Sequence, residues 1–280
     1  MSVDPFTDFT AADARAFVEP PGEHDDKYSR GVLGVMTGSA SFPGAAVLGV
    51  EGASRTGVGM LRYIGPGRAT RLVLQRRPEV VTAEGRVQAW LTGSGMDART
   101  RSDDVTSALV GALSSGDPAV VDAGALDLLE HATGPVVITP HAGELVTLLA
   151  SRGVEASREQ VTREPARWAV EAARLFGVTV LLKGHVTHVV GVGHRLRVTA
   201  PTTELATAGS GDVLAGILGA LVATHRERLD AEPALLAELA AAAAVLHGLA
   251  GERASGGGPI VALDIAEAVP AVIGELRRIR

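Results

Sequence analysis

The chain contains no cysteine, which excludes disulfides and every thiolate metal site and by itself leaves the compartment undecided. Aromatic residues make up only 3% of it. A core without them has to be assembled from Val, Leu, Ile and Ala, as in sheets covered on both faces by helices. Excess positive charge is also missing, since 32 acidic residues outnumber 26 Lys and Arg for a net charge of -6. That balance argues against a nucleic-acid backbone as partner, although a small phosphate site needs only local dipoles. The opening "MSVDPFTDFTAADARAF" has neither the basic start nor the apolar stretch of a signal peptide. Long hydrophobic runs are scarce. The most apolar one, "ALLAELAAAAAVLHGLAG" (234–251), is mostly alanine and is interrupted by Glu238 and His247. It is expected to be a buried or interface helix rather than a membrane span. The expectation is a cytoplasmic protein that binds neither nucleic acid nor membrane.

What is present is ordinary globular composition, 46% hydrophobic and 21% charged over 280 residues. Residues 1–26 are polar, end in "EPPGEHDD", and are expected to form a flexible lead-in with at most a short helix over 11–18. From residue 27 to 280 one domain is expected. Strands are predicted at 31–38, 71–75, 87–93, 119–124, 135–140 and 178–184, with a hairpin-like pair over 188–200. Helices are predicted at 42–57, with Pro43 in the first turn, and at 103–113, 142–151 and 165–176. Near-continuously apolar strands alternating with helices indicate an α/β fold with a mainly parallel sheet and helices on both faces.

Ligands of such sheets gather at the carboxyl ends of the strands. Gly38-Ser39, Gly93-Ser94-Gly95, Asp122, Thr139-Pro140-His141 and Lys183-Gly184 each follow a predicted strand, which suggests one shared crevice. "ATAGSGDVLAGILGAL" puts glycines and then Asp212 at the mouth of an apolar helix. Free amides and the positive end of the helix dipole make that turn a ready phosphate site. It is neither a P-loop nor a dinucleotide fingerprint, because the spacing is wrong. Asp212 also suits a helix N-terminus with no ligand at all; beside a phosphate, its task would be to prepare an attacking hydroxyl. In "ITPHAGELVTLL", His141 and Glu144 share a face of a first helical turn, and Glu144 could hold Mg2+ through water. A purely capping arrangement with Thr139 as N-cap is the alternative. Lys183 could neutralise phosphate, with Gly184 against an adenine or ribose, or the pair could be a solvated turn. Gly44, Ala45 and Ala46 would let a flat ligand rest on a helix N-terminus or would serve close packing.

Together these segments resemble the ADP/ATP-dependent NAD(P)H-hydrate dehydratases, the carbohydrate-kinase-like domain of the ribokinase-like superfamily. The resemblance runs from "KYSRGVLGVMTGSASFPGAAVLGVEGASRTGVG" through "GSG", "VVDAGAL", "ITPHAGE" and "LLKGHVT" to the Gly-Ser-Gly-Asp turn, over roughly residues 27–275. It implies a ribokinase-like three-layer sandwich. It also implies repair of hydrated NADH or NADPH, by phosphorylating the added hydroxyl with ADP or ATP and expelling phosphate. Vitamin-precursor kinases of the superfamily typically carry Asn where this chain has His141. Carried over by motif, Ala45, Gly95, His141 and Asp212 would contact the hydrate, with Asp212 at the reacting hydroxyl. Lys183, Gly184, His185, Val186, Thr187 and Gly211 would contact the adenine nucleotide, and Glu144 would hold Mg2+ through water. A homo-oligomer is implied, as is a separate epimerase protein, since residues 1–26 are too short for the epimerase domain often fused in this family. Two motifs depart from the family pattern: Gly93-Ser94-Gly95-Met96-Asp97 replaces Gly-Pro-Gly-Leu-Gly, and Asp122-Ala123-Gly124-Ala125-Leu126 replaces Asp-Ala-Asp-Ala-Leu. The alternatives are a kinase of a hydroxymethyl or hydroxyethyl heterocycle and a non-catalytic nucleotide sensor.

Overall fold

A computed structural model of the chain describes residues 5–278. Nine strands form one sheet in the order β1-β9-β8-β7-β6-β5-β4-β2-β3. The strands are β1 (Thr7–Asp8), β2 (Val32–Met36), β3 (Met60–Tyr63), β4 (Ala89–Thr92), β5 (Ala119–Val121), β6 (Val136–Ile138), β7 (Thr179–Leu182), β8 (Val186–Gly191) and β9 (His194–Thr199). Pairing is parallel from β3 to β7, then antiparallel through the β7–β8–β9 meander. Alternate strand residues serve opposite faces, as the pleat requires. Leu33, Leu91, Val120, Val137 and Leu181 join one hydrophobic cluster, while Trp90, Val121, Ile138, Val180 and Leu182 join another. Such two-sided burial explains why the strands read as continuous apolar runs.

The first face is covered by α1 (Ala11–Ala14), α2 (Pro43–Thr56), α3 (Gly67–Arg76), α8 (Ser210–Thr224), α9 (Arg226–Ala231), α10 (Leu235–Ser255) and α11 (Ala262–Leu276). The second carries α4 (Asp103–Leu113), α5 (Ala142–Ala150), α6 (Arg158–Arg163), α7 (Pro165–Phe176) and a 3-10 segment over Ala123–His131. The expected α/β sandwich with a mainly parallel sheet is therefore present. The apolar helix α10 turns most of its length into the core. It is long and apolar enough to cross a membrane, but that surface is used in packing against α8, α11 and the sheet.

Two expectations need correction. The segment 71–75, predicted as a strand, lies inside helix α3. Its buried residues are Ala69 and Val73, one helical turn apart, and the intervening Arg71 is exposed; the five-residue window hid that period. The lead-in is not uniformly a free tail. Residues 1–4 lie outside the described residues, but β1 pairs in parallel with β9, and Phe9, Ala14, Phe17 and Val18 are buried in the first core cluster. The short helix expected over 11–18 is present as α1 and the 3-10 turn after it, but the burial of its apolar side chains is not legible among their polar neighbours. Strand β3 was also not foreseen, because Arg62 interrupts its apolar pattern.

Candidate active site

The five small or polar clusters do follow adjacent strands, β2, β4, β5, β6 and β7, at their carboxyl ends. At the β2–β4 side the Gly38 amide donates to the Ser94 carbonyl at 2.7 Å. Gly95 adopts φ +68°, and a Cβ there would lie 2.3 Å from the Ala45 Cβ, so Gly95 and the start of α2 are in direct contact. Two of the four expected hydrate contacts are thus neighbours. The two departures from the family pattern are also neighbours: a Cβ on Gly124 would lie 2.4 Å from the Met96 carbonyl oxygen. A side chain at 124 and this conformation of the 93–97 loop exclude one another. Asp97 faces Arg99 at 2.8 Å, and that guanidinium holds its carboxyl down at about 2.

Asp122, in the middle of the row, is buried and accepts three donors. Ser94 Oγ donates at 2.9 Å, Thr139 Oγ1 at 2.7 Å and Lys183 Nζ at 3.0 Å. Sequence reasoning placed Asp122 at a strand end but gave it no part. Its partner Lys183 is 61 positions away and comes close only because β5, β6 and β7 pair in that order. The ammonium of Lys183 also lies 3.7 Å from Glu144 Oε2 and 3.5 Å from where a Cβ on Gly211 would stand. Burial works against the charged lysine, yet Asp122 and Glu144 together hold its pKa above the ordinary value. Lys183 therefore sits as a fixed cation among carboxylates.

His141, not Thr139, is the N-cap of α5. Its Nδ1 accepts the Gly143 and Glu144 amides at 3.0 and 3.1 Å, and Glu144 Oε2 accepts the His141 amide at 2.8 Å. This is a capping box with an imidazole in place of a hydroxyl. With Nδ1 acting as acceptor, the ring proton is on Nε2, which lies 3.7 Å from Glu144 Oε1, beyond hydrogen-bond distance, and so remains a donor for the crevice. The Thr139 hydroxyl is instead spent on Asp122.

The turn before α8 completes the group. Gly209 adopts φ +87° and turns the chain into the helix. The Ser210 amide donates to the Thr207 carbonyl at 3.3 Å and the Asp212 amide to the Gly209 carbonyl at 3.1 Å. The Gly211 amide is thus the one of the first turn that points at the crevice without a backbone acceptor. Ser210 Oγ lies 3.0 Å from Nε2 of His247 on α10, and burial pushes that imidazole down to about 4, so it is neutral. Asp212 is denied water by its surroundings. Desolvation, with the Asp122 charge behind it, raises its carboxyl to about 7 against the opposing pull of Lys183.

A cavity of about 640 Å³ opens between the β7–β8 turn and α8. His141, Lys183, Gly184, His185, Thr187 and Gly211 line it, whereas Val186, Ala45, Gly95 and Asp212 do not. Val186 is taken up in the β8–β9 ladder. Among the described residues, no three His, Cys, Asp or Glu side chains are placed to hold a metal by themselves.

A family model described as NAD(P)H-hydrate dehydratase matches residues 33–269. A bifunctional NAD(P)H-hydrate repair enzyme, Nnr, of Corynebacterium glutamicum is 37% identical over 293 aligned positions, which cover 92% of this chain and 50% of that protein. The chain thus spans about half the length of the first bifunctional relatives it matches. An ADP-dependent (S)-NAD(P)H-hydrate dehydratase of Neisseria meningitidis is 32% identical, with 82% of this chain and 79% of that one aligned. Among solved structures, the ADP/ATP-dependent NAD(P)H-hydrate dehydratase of Bacillus subtilis co-crystallised with ATP/Mg2+ superposes with a TM-score of 0.82 at 24% identity. It covers 98% of this chain and 100% of that one. A ribokinase-like superfamily protein of Enterococcus faecalis gives 0.81 at 21% identity, covering 100% and 99%. These two likenesses show that the fold is ribokinase-like. From the extent of the family match and of the meningococcal alignment, the chain belongs to the NAD(P)H-hydrate dehydratase family.

Proposed function

We propose that the chain dehydrates the S epimer of NADH or NADPH hydrate at the expense of ADP or ATP, restoring NAD(P)H. The observation that carries this is the desolvated Asp212 carboxylate immediately behind the Gly209-Ser210-Gly211 turn, with the Lys183 ammonium against Gly211. A base whose pKa lies near neutrality, beside a helix mouth that attracts phosphate, suits phosphoryl transfer to a hydroxyl.

Asp212 takes the proton of the ring hydroxyl as its oxygen attacks the terminal phosphorus. The phosphoanhydride bond breaks, and the nucleotide leaves one phosphate shorter. The ring then expels the new phosphate with the C–O electron pair, the ring nitrogen supplies electrons, and the neighbouring carbon loses a proton. Phosphorylation turns hydroxide, a poor leaving group, into a good one.

The nucleotide fits the cavity lined by Lys183, Gly184, His185, Thr187 and Gly211, with the hydrate toward Ala45, Gly95 and the Nε2–H of His141. The donor set suits Mg2+ as it binds with nucleotides, through few carboxylates, waters and phosphates. Glu144 would hold the ion through water, and the ion when bound would neutralise phosphate charge. The reading includes a cytoplasmic site of action and self-association.

The test follows absorbance at 340 nm with NADH hydrate, Mg2+ and either ADP or ATP. Recovery that needs nucleotide and disappears in Asp212→Ala establishes the reaction and names the donor. Absence of recovery from folded protein with both nucleotides overturns it, and phosphorylation of a hydroxymethyl heterocycle would then assign kinase activity.

A further inference from the structure

The reaction above uses Asp212 and leaves Asp122 without a task, although the crevice is built around it. Its three donors come from the ends of three different strands, β4, β6 and β7. Ala123, the next residue, sits at φ +43°, a left-handed conformation that strains a non-glycine residue. The chain accepts that strain where the Asp122 carboxylate is set in place. A carboxylate near a phosphate site is also unfavourable by charge, so its presence calls for a compensating cation, and Lys183 is that cation.

We infer that Asp122 is a positioning residue that pins the Lys183 ammonium beneath Gly211, where it meets the phosphates of the bound nucleotide. This rests on reading the turn before α8 as a nucleotide-phosphate site. An ammonium has three donors, and one is taken by Asp122 at 3.0 Å. Glu144 at 3.7 Å lies beyond hydrogen-bond distance, so donors remain for a ligand. A lysine at a crevice mouth would otherwise swing on a long, strongly hydrated stem. Here the side chain is only 19% exposed, and the head is tied to a carboxylate whose two oxygens are held by Ser94 and Thr139. If Asp122 served only to stitch strand ends, the Ser94 and Thr139 bonds would suffice and a neutral amide would do. The full negative charge is accounted for by the lysine.

The experiment is a double-mutant cycle on the full chain with Asp122→Asn and Lys183→Met. It is read by calorimetric ADP affinity and by turnover in the 340 nm assay. Each single change is expected to weaken ADP binding about tenfold. In the Lys183→Met background, Asp122→Asn should cost nothing further, a coupling that a purely structural Asp122 would not show. Thr139→Val leaves the Asp122 charge but removes one of its anchors, and should weaken ADP binding only while Lys183 is present. That variant decides the matter if Asp122→Asn does not fold. Wild-type affinity in Asp122→Asn, or additive losses, overturns the proposal. An intact cycle in ADP affinity without hydrate turnover would sink the dehydratase reading and leave this one standing. If the wild type binds neither ADP nor ATP, both fall.

Discussion

The Asp212 carboxylate is raised to about 7 chiefly because its surroundings deny it water, with Asp122 adding to the shift and Lys183 opposing it. As the proposed base it works only when ionised, so kcat/KM should climb through about pH 7 and level off above it. The same shift has a stability sign. Its folded pKa lies above the ordinary 3.8, so the folded state holds this proton more tightly than the unfolded chain does. The resulting stabilisation is complete below pH 3.8 and is lost as pH rises through about 7. Asp212→Asn should therefore abolish turnover yet raise Tm at pH 8, with the gain vanishing near pH 4. Equal melting of the two proteins at pH 8 would contradict the desolvation argument. Asp212 was legible from sequence because glycines and a helix start surround it locally. The Asp122 hub was not, since its bonds run to Ser94, Thr139 and Lys183 across sheet neighbours that no local pattern discloses.

Between elements, the closest approach that governs the site is that of α2 and α8. A Cβ on Gly216 would stand 2.1 Å from the Gly49 carbonyl oxygen, so these helices touch backbone to backbone. Gly216→Ala should cost about 1–3 kcal/mol by overpacking. By prising α2 from α8 it should also lower kcat, because Ala45 and Asp212 ride on those two helices; denaturant melts and the 340 nm assay check both. Elements with strong local signatures were predictable to the residue, as with α4 and α7, whose bounds match the expected 103–113 and 165–176. Helix α3 was mistaken for a strand because two buried residues in ten leave little period to read. At α5 the helix was foreseen, but its cap was misplaced by two residues, since histidine is not a habitual capping side chain.

For the molecule as a whole, the described N-terminal segment belongs to the fold and not to its approach. Phe17 is packed with Phe9 and beside His225, so Phe17→Ala should destabilise the entire protein by about 3–5 kcal/mol in a single cooperative unfolding transition. A separate early transition would show instead that the segment is an appendage. Nucleotide at a hundredfold excess over Kd should add about 2.7 kcal/mol, read as a rise in Tm.

Helix α10 supplies Ala244 and His247 to the cavity, and its alanine run 240–244 is buried between Leu239 and Val245. The Ala244 methyl has no rotamers and the His247 ring is held against Ser210 Oγ at 3.0 Å, so the wall they form cannot yield to a ligand by rearranging itself. Enlarging the cavity on that side means translating a whole helix against α8 and α11. Tolerance for modified ligands should accordingly end abruptly, with analogues either fitting as well as the parent or hardly binding.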